Sequence, residues 1–235
     1  MVRISAASAK SARRFVHGLA LIAATAVTAA TAPVHAQSWP TKQPIKLVAV
    51  FPPGGSVDQV ARILAQPLQA QLGQTVIVEN KGGASGSIGA AFVAQAPADG
   101  YTCAVVFDSH AVNPALIPSL PFDTKKDLAA VSLIGTAAMT IATPATSEYK
   151  SFADVATALK AGKPVSYGTI GNGSLGHLAM TLLGKQNGLN WQHVPYKGGG
   201  PMMQDAVGGH VPLVIGSVFV VKPHIDSRSE EHTSE

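Results

Sequence analysis

The segment that most restricts the fold is Lys46-Leu47-Val48-Ala49-Val50-Phe51-Pro52-Pro53-Gly54-Gly55-Ser56-Val57-Asp58. An apolar, β-prone run stops at a Pro-Pro-Gly-Gly turn, and a helical period (Val60, Ala61, Ile63, Leu64, Leu68) begins at once. A strand that feeds a helix through such a turn gathers unpaired backbone N–H groups where the helix dipole is positive. That point favours a bound anion without a basic side chain. Anion capture is the first expectation, with Phe51, Pro52, Gly54, Gly55 and Ser56 as the loop that provides it. Asp58 fits two roles, a cap that complements the helix dipole or a partner for a ligand ammonium.

The chain alternates strand and helix from Pro44 onward. Strands are expected at 45–50, 75–79 and 101–107, helices at 58–72 and 87–96, with Gly73 ending the first helix. A βαβαβ order implies a parallel sheet with right-handed crossovers and helices on both faces. Its ligand edge is the carboxyl end of the strands, where Ser109 and His110 follow the third. Segments 131–134 and 139–143 read as extended passages to a second unit of the same style. There, helices are expected at 151–161, 175–186 and 202–207, and strands at 165–168, 193–196 and 213–216. The organisation is thus an α/β protein of two lobes, 37–136 and 137–226, facing one cleft. Residues 227–235 form a polar tail without apolar period, read as an artefactual or truncated end.

Residues 1–36 read as a leader. Arg3, Lys10, Arg13 and Arg14 precede an apolar stretch at 16–32, and Val34-His35-Ala36 offers a small-residue cleavage point after Ala36. The leader holds four of the 17 basic residues and no acidic one, leaving 13 against 13. The basic pI therefore gives no support for nucleic-acid binding. One cysteine, Cys103, excludes an internal disulfide and any cysteine metal cage.

Gly171-Asn172-Gly173-Ser174-Leu175-Gly176 is formally a dinucleotide fingerprint after a strand, but Val194-Pro195-Tyr196-Lys197 lacks the acid such sites place at the end of the next strand. The same loop still makes an anion cradle from Thr169, Gly171, Asn172, Gly173 and the Ser174 hydroxyl. His177, one turn on, either donates to a ligand or packs between helix and sheet; His193, on a strand, reads as structural. Tyr196 and Lys197 open a third strand-to-helix loop, where Lys197 is a counter-charge or a solvated lysine. No Gly-x-Ser-x-Gly elbow and no His-Glu-x-x-His occur, and Asp108-Ser109-His110, taken as extended, cannot converge as a triad. A secreted hydrolase or nucleotide-dependent reductase is the alternative reading.

Several segments together resemble the Bug-type periplasmic solute receptors of tripartite tricarboxylate transporters. They are Trp39-Pro40 with 44–47, 51–58, Val78-Glu79-Asn80-Lys81-Gly82-Gly83-Ala84, Ala98-Asp99-Gly100-Tyr101-Thr102, 171–174 with His177-Leu178, and 193–198. The resemblance implies a two-lobed type II periplasmic-binding fold without catalysis or cofactor. It also implies a monomer that clasps a small carboxylate-bearing solute between the first loop and the Gly-Asn-Gly-Ser loop. The solute would then pass to membrane permease subunits. Where the family continues after Ile225, this chain has its polar tail, so the resemblance implies that a further ~80–100 residues, a small domain's worth, is missing. Gly216-Ser217 stands where the family often has an acid.

Overall fold

The computed structural model describes residues 39–231. The expected leader and its cleavage point lie outside the described residues, as do the last four positions. Trp39 onward forms one compact unit built on two sheets.

The first sheet contains β1 (Ile45–Ala49), β2 (Val76–Asn80) and β3 (Thr102–Val105), all parallel, in the order β2-β1-β3. Leu47 pairs with Val78 on one side and Cys103 on the other. β1 is the central strand and, apart from the exposed Lys46, is apolar and buried, as expected of a covered parallel strand. Helix α1 (Ser56–Leu72) buries Val57, Asp58 and Ala61, and Gly73 ends it in the left-handed conformation. Helix α2 (Ser87–Ala94) returns to β3. With right-handed crossovers, a centre strand followed by one neighbour on each side puts α1 and α2 on opposite faces. Ile45, Leu47, Ala49, Val50, Phe51 and Val57 form the heart of this core.

The second sheet repeats that plan. β5 (Ser166–Thr169) is flanked by β6 (Gln192–Pro195) and β7 (Leu213–Ser217), both parallel to it. β4 (Met139–Ala142) adds an antiparallel edge against β7. α4 (Phe152–Lys160) precedes β5, and a reciprocal capping box between Ser151 and Asp154 starts it. α5 (Leu175–Asn187) and α6 (Gly199–Val207) are the two crossovers.

Segment 131–134 runs as a passage between elements, in no strand, with Val131 and Leu133 86% and 81% exposed. One expectation needs correction. Ser109 and His110 are not extended but open helix α3 (Ser109–Leu116), which carries Pro114 within it. Helix α7 (Val218–Glu231) continues into the polar segment after Asp226. Among the described residues no helix is long and apolar enough to cross a membrane.

Candidate functional site

In each sheet the chain leaves the first strand and reverses its order of filling, so the carboxyl ends of β1 and β5 are switch points where open α/β sheets bind ligands. The loop after β1 meets the one after β6. A glycine Cβ at Gly55 would touch the Gly199 backbone nitrogen, and one at Gly200 would crowd the Pro53 carbonyl. Only residues without side chains let these backbones come so close. The Ser56 and Ser217 hydroxyls, 2.8 Å apart, tie the start of α1 to the end of β7.

Beside this seam lies a cleft of about 190 Å3, lined by Phe51 and by residues 83–85, 170–172 and 195–197. Four loops converge there, each from the carboxyl end of a parallel strand. The Ser85 hydroxyl donates to the Asn172 carbonyl at 2.6 Å and bridges the two sheets across the cleft. Ala84 and Ser85 hold positive φ of 45° and 53°, which non-glycine residues rarely adopt. They start a single 3-10 turn (Ala84–Gly86), so their N–H groups have no acceptor within it. Lys197 is the one charged side chain of the lining, is exposed, and has no ion-pair partner among the described residues.

Of the residues expected at a site, Phe51, Gly171, Asn172, Tyr196 and Lys197 line this cleft. The others stand behind it. Pro52 packs on Gly82 and Gly198. The Gly54 N–H, expected to be free, donates to Asp58 Oδ2 at 3.0 Å. Gly55 and Ser56 line a separate void of about 20 Å3 with Ser217 and Val220. Asp58 is a scaffold residue: Oδ1 accepts from Arg62 Nε at 3.0 Å and Asn80 Nδ2 at 2.9 Å, and only 4% of the residue is exposed. Burial would raise its pKa, but hydrogen bonds from Arg62, Gly54 and Asn80 outweigh that and hold it below the usual value. Ser109 donates to the Ser85 carbonyl, which also accepts from Asn113 Nδ2, so α3 braces the strained turn. His110 stacks on Phe122.

Around the Gly-Asn-Gly-Ser loop the expected cradle is mostly self-bonded. Ser174 caps α5, accepting from His177 N–H and donating to the Gly171 carbonyl. Thr169 is fully buried, with Oγ1 3.2 Å from Gly171 N. Gly173 N–H donates to His177 Nδ1 at 3.1 Å. Asn172 is left facing the cleft. Tyr196 donates to Asp205 Oδ2 at 2.8 Å; burial, that bond and the Asp205 charge push its pKa up to about 12, so the phenol stays neutral.

Sequence reasoning missed residues 83–85 as a wall of the cleft. Their signal was present, since Gly82-Gly83-Ala84-Ser85-Gly86 follows β2 at the same edge of the sheet. Ile170 and Pro195 carried no such signal. Chemically, the cleft offers amide, carboxamide and ammonium donors. The hydroxyls of Ser85, Ser109 and Ser174 are engaged with carbonyls rather than poised against a base.

Two mostly parallel α/β sheets with switch-point loops facing one another across a cleft define the periplasmic-binding-protein class of fold. The chain belongs to a particular branch of it, matching the family described as tripartite tricarboxylate transporter family receptor over residues 60–230. Protein BugT of Bordetella pertussis is 38% identical over 200 residues, covering 83% of this chain and 61% of BugT. A structure of R. palustris Rpa4515 with adipate superposes with a TM-score of 0.76 at 32% identity, covering 81% of this chain and 64% of that one. MatC from Rhodopseudomonas palustris with bound malate gives 0.70 at 26% identity, over 79% and 64% of the two chains. The chain thus spans a little over three fifths of the length of these relatives. The family and its solved structures are solute-binding receptors, not enzymes.

Proposed function

We propose that this protein is an exported receptor that captures a small carboxylate-bearing solute in the cleft between its two sheets. In this reading it acts as a monomer in the periplasm and passes the solute to the membrane subunits of a tripartite tricarboxylate-type transporter. The observation that carries the reading is the convergence of four strand-end loops on a cleft whose one charged side chain is Lys197. The adipate and malate bound by the two related receptors are the same class of ligand.

The grip differs from the one the motifs suggest. With Gly54 N–H taken by Asp58, the available donors are the amides of Ala84, Ser85 and Asn172, the Asn172 carboxamide and Lys197. Micromolar affinity requires about 8 kcal/mol. Hydrogen bonds to a charged group contribute roughly 1.5–3 kcal/mol each, so four or five donors reach that range after ordering costs. Titration calorimetry with a panel of mono- and dicarboxylates, adipate and malate included, is expected to give at least one saturable ligand. Lys197→Met and Asn172→Ala should each weaken it by tenfold or more. A panel without a binder, or variants that bind as the parent does, would overturn the assignment.

A further inference from the structure

Asn172 is held in the cleft between two glycines, and each glycine is anchored to a different imidazole of one stacked pair. His177 and His193 lie ring on ring, centroids 4.0 Å apart and planes 10° from parallel. His177 Nδ1 accepts the Gly173 N–H. His193 Nε2 is 2.8 Å from Thr169 Oγ1, and that hydroxyl accepts the Gly171 N–H. Gly171 and Gly173 sit at φ of 141° and 74°, conformations that glycine reaches readily but does not hold unaided. The hydrogen bonds to the imidazole side therefore fix the direction in which the peptide between them points.

We propose that His177 and His193 are positioning residues, and that they hold the 171–173 backbone in its ligand-competent arrangement only while both rings are neutral. A proton on His177 Nδ1 would set a donor against the Gly173 N–H and break the anchor. A proton on both rings would place two positive charges about one ring thickness apart. The groups around the pair offer no compensation. β5 contributes Tyr167, whose ring is 5.2 Å from His193 and whose pKa is raised by burial, and Thr169. β6 contributes His193 itself; Trp191, the residue before that strand, lies beside Tyr167, and α5 contributes Thr181, bonded to the His177 carbonyl. Lys185 stands in the last turn of α5, and no carboxylate contributes to either ring's proton affinity. Burial, and for His193 also the His177 charge, lower both pKa values, that of His193 to about 4.

The sign follows from linkage. Rings that resist protonation in the ordered loop favour that loop above the ordinary imidazole range, and the support is lost as pH falls from about 6.5 toward about 4. Release of the solute is then accompanied by proton uptake. This consequence rests on the cleft being the ligand site, whereas the anchoring itself does not.

The test separates the two. In 15N-labelled full chain titrated from pH 7.5 to 4, the Gly173 and Gly171 amide resonances are expected to move together with the imidazole resonances, at midpoints below 6.5. His177→Phe should shift the His193 midpoint upward by removing its charged neighbour. His177→Asn, whose carbonyl can accept the same N–H, should leave the Gly173 resonance flat across the range. Amide resonances indifferent to imidazole titration, or midpoints at the ordinary value, would overturn the proposal without reference to any ligand. Calorimetry with malate and adipate at pH 7 and pH 5 gives the second arm. The parent should lose at least fivefold more affinity over that interval than His177→Asn, the ligand's own titration being common to both. Titrating amides with no carboxylate binding would sustain the anchors and remove the receptor reading instead.

Discussion

Replacing Asp58 by Ala distinguishes a scaffold carboxylate from a ligand contact. In the structure this group receives four hydrogen-bonding approaches: Gly54 N–H at 3.0 Å, Asn80 Nδ2 at 2.9 Å, and Arg62 through Nε at 3.0 Å and Nη2 at 2.9 Å. The Arg62 side chain is 55% exposed and can turn to water, so its share is discounted to about 0.5 kcal/mol, as for a surface pair. Gly54 is exposed and Asn80 half-buried, and Asn80 Nδ2 also donates to the Phe51 carbonyl at 3.0 Å, so each of these donors bears only the low end of a stranding penalty. Each donor stranded away from water costs about 1–3 kcal/mol. The loss is therefore expected at ~2–3 kcal/mol, which for a chain of this size lowers Tm by about 5–10 °C. Urea unfolding at pH 7 reads it as a fall in midpoint with little change in slope. Because the Asp58 pKa is depressed in the folded state, its contribution is present above the unfolded value near 3.8 and fades as pH falls through the lower folded one. Parent and variant should converge in strong acid. A loss below about 1 kcal/mol, accompanied by abolished solute binding, would refute the reasoning and return Asp58 to the ligand.

Asp108 should behave in the opposite sense. Both its oxygens are buried and no donor meets them in good hydrogen-bond geometry; the Ser109 and Leu175 N–H groups lie near enough only to offset in part the rise in pKa that burial causes. Asp108→Asn is expected to raise Tm at pH 7–8, and the advantage should shrink as pH falls through the raised folded pKa, where the parent's carboxyl takes up its proton; thermal melts across pH check this. Gly173→Ala combines a left-handed residue, at about 1–2 kcal/mol for the backbone, with overlap against Cδ1 of the half-exposed Leu116, a flexible tip that turns aside for about 0.5–1 kcal/mol. Adding Leu116→Ala should recover only the second part, read from a double-mutant cycle in urea. The Cys103 thiol, half-buried and pushed up by burial, should react with a disulfide reagent far more slowly in the folded chain than in denaturant.

Much of the architecture was written locally. Gly73 and Gly188 end α1 and α5 in the left-handed conformation that favours glycine at such positions, and Ser174 caps α5 as its place before the helix implies. The order of apolar runs gave parallel strands because only helix-length crossovers separate them. The segment that misled was one whose state depends on a distant neighbour. Ser109 and His110 read as extended in isolation, but α3 forms where its Ser109 and Asn113 side chains can both reach the Ser85 carbonyl.

By itself the sequence determined that strand-to-helix turns rich in glycine would present backbone donors, since that follows from local geometry and from which amides a first helical turn leaves unpaired. Which of those donors remain free was decided only by the tertiary fold. Asn80, on a neighbouring strand, completes with Arg62 the bonding of the Asp58 carboxylate that closes the first loop on itself, while Ser85 reaches Asn172 across the sheets and makes a wall no single segment could announce. A hydrogen bond is a relation between two places, and residues far apart in the chain supply the second place only once the sheets have packed.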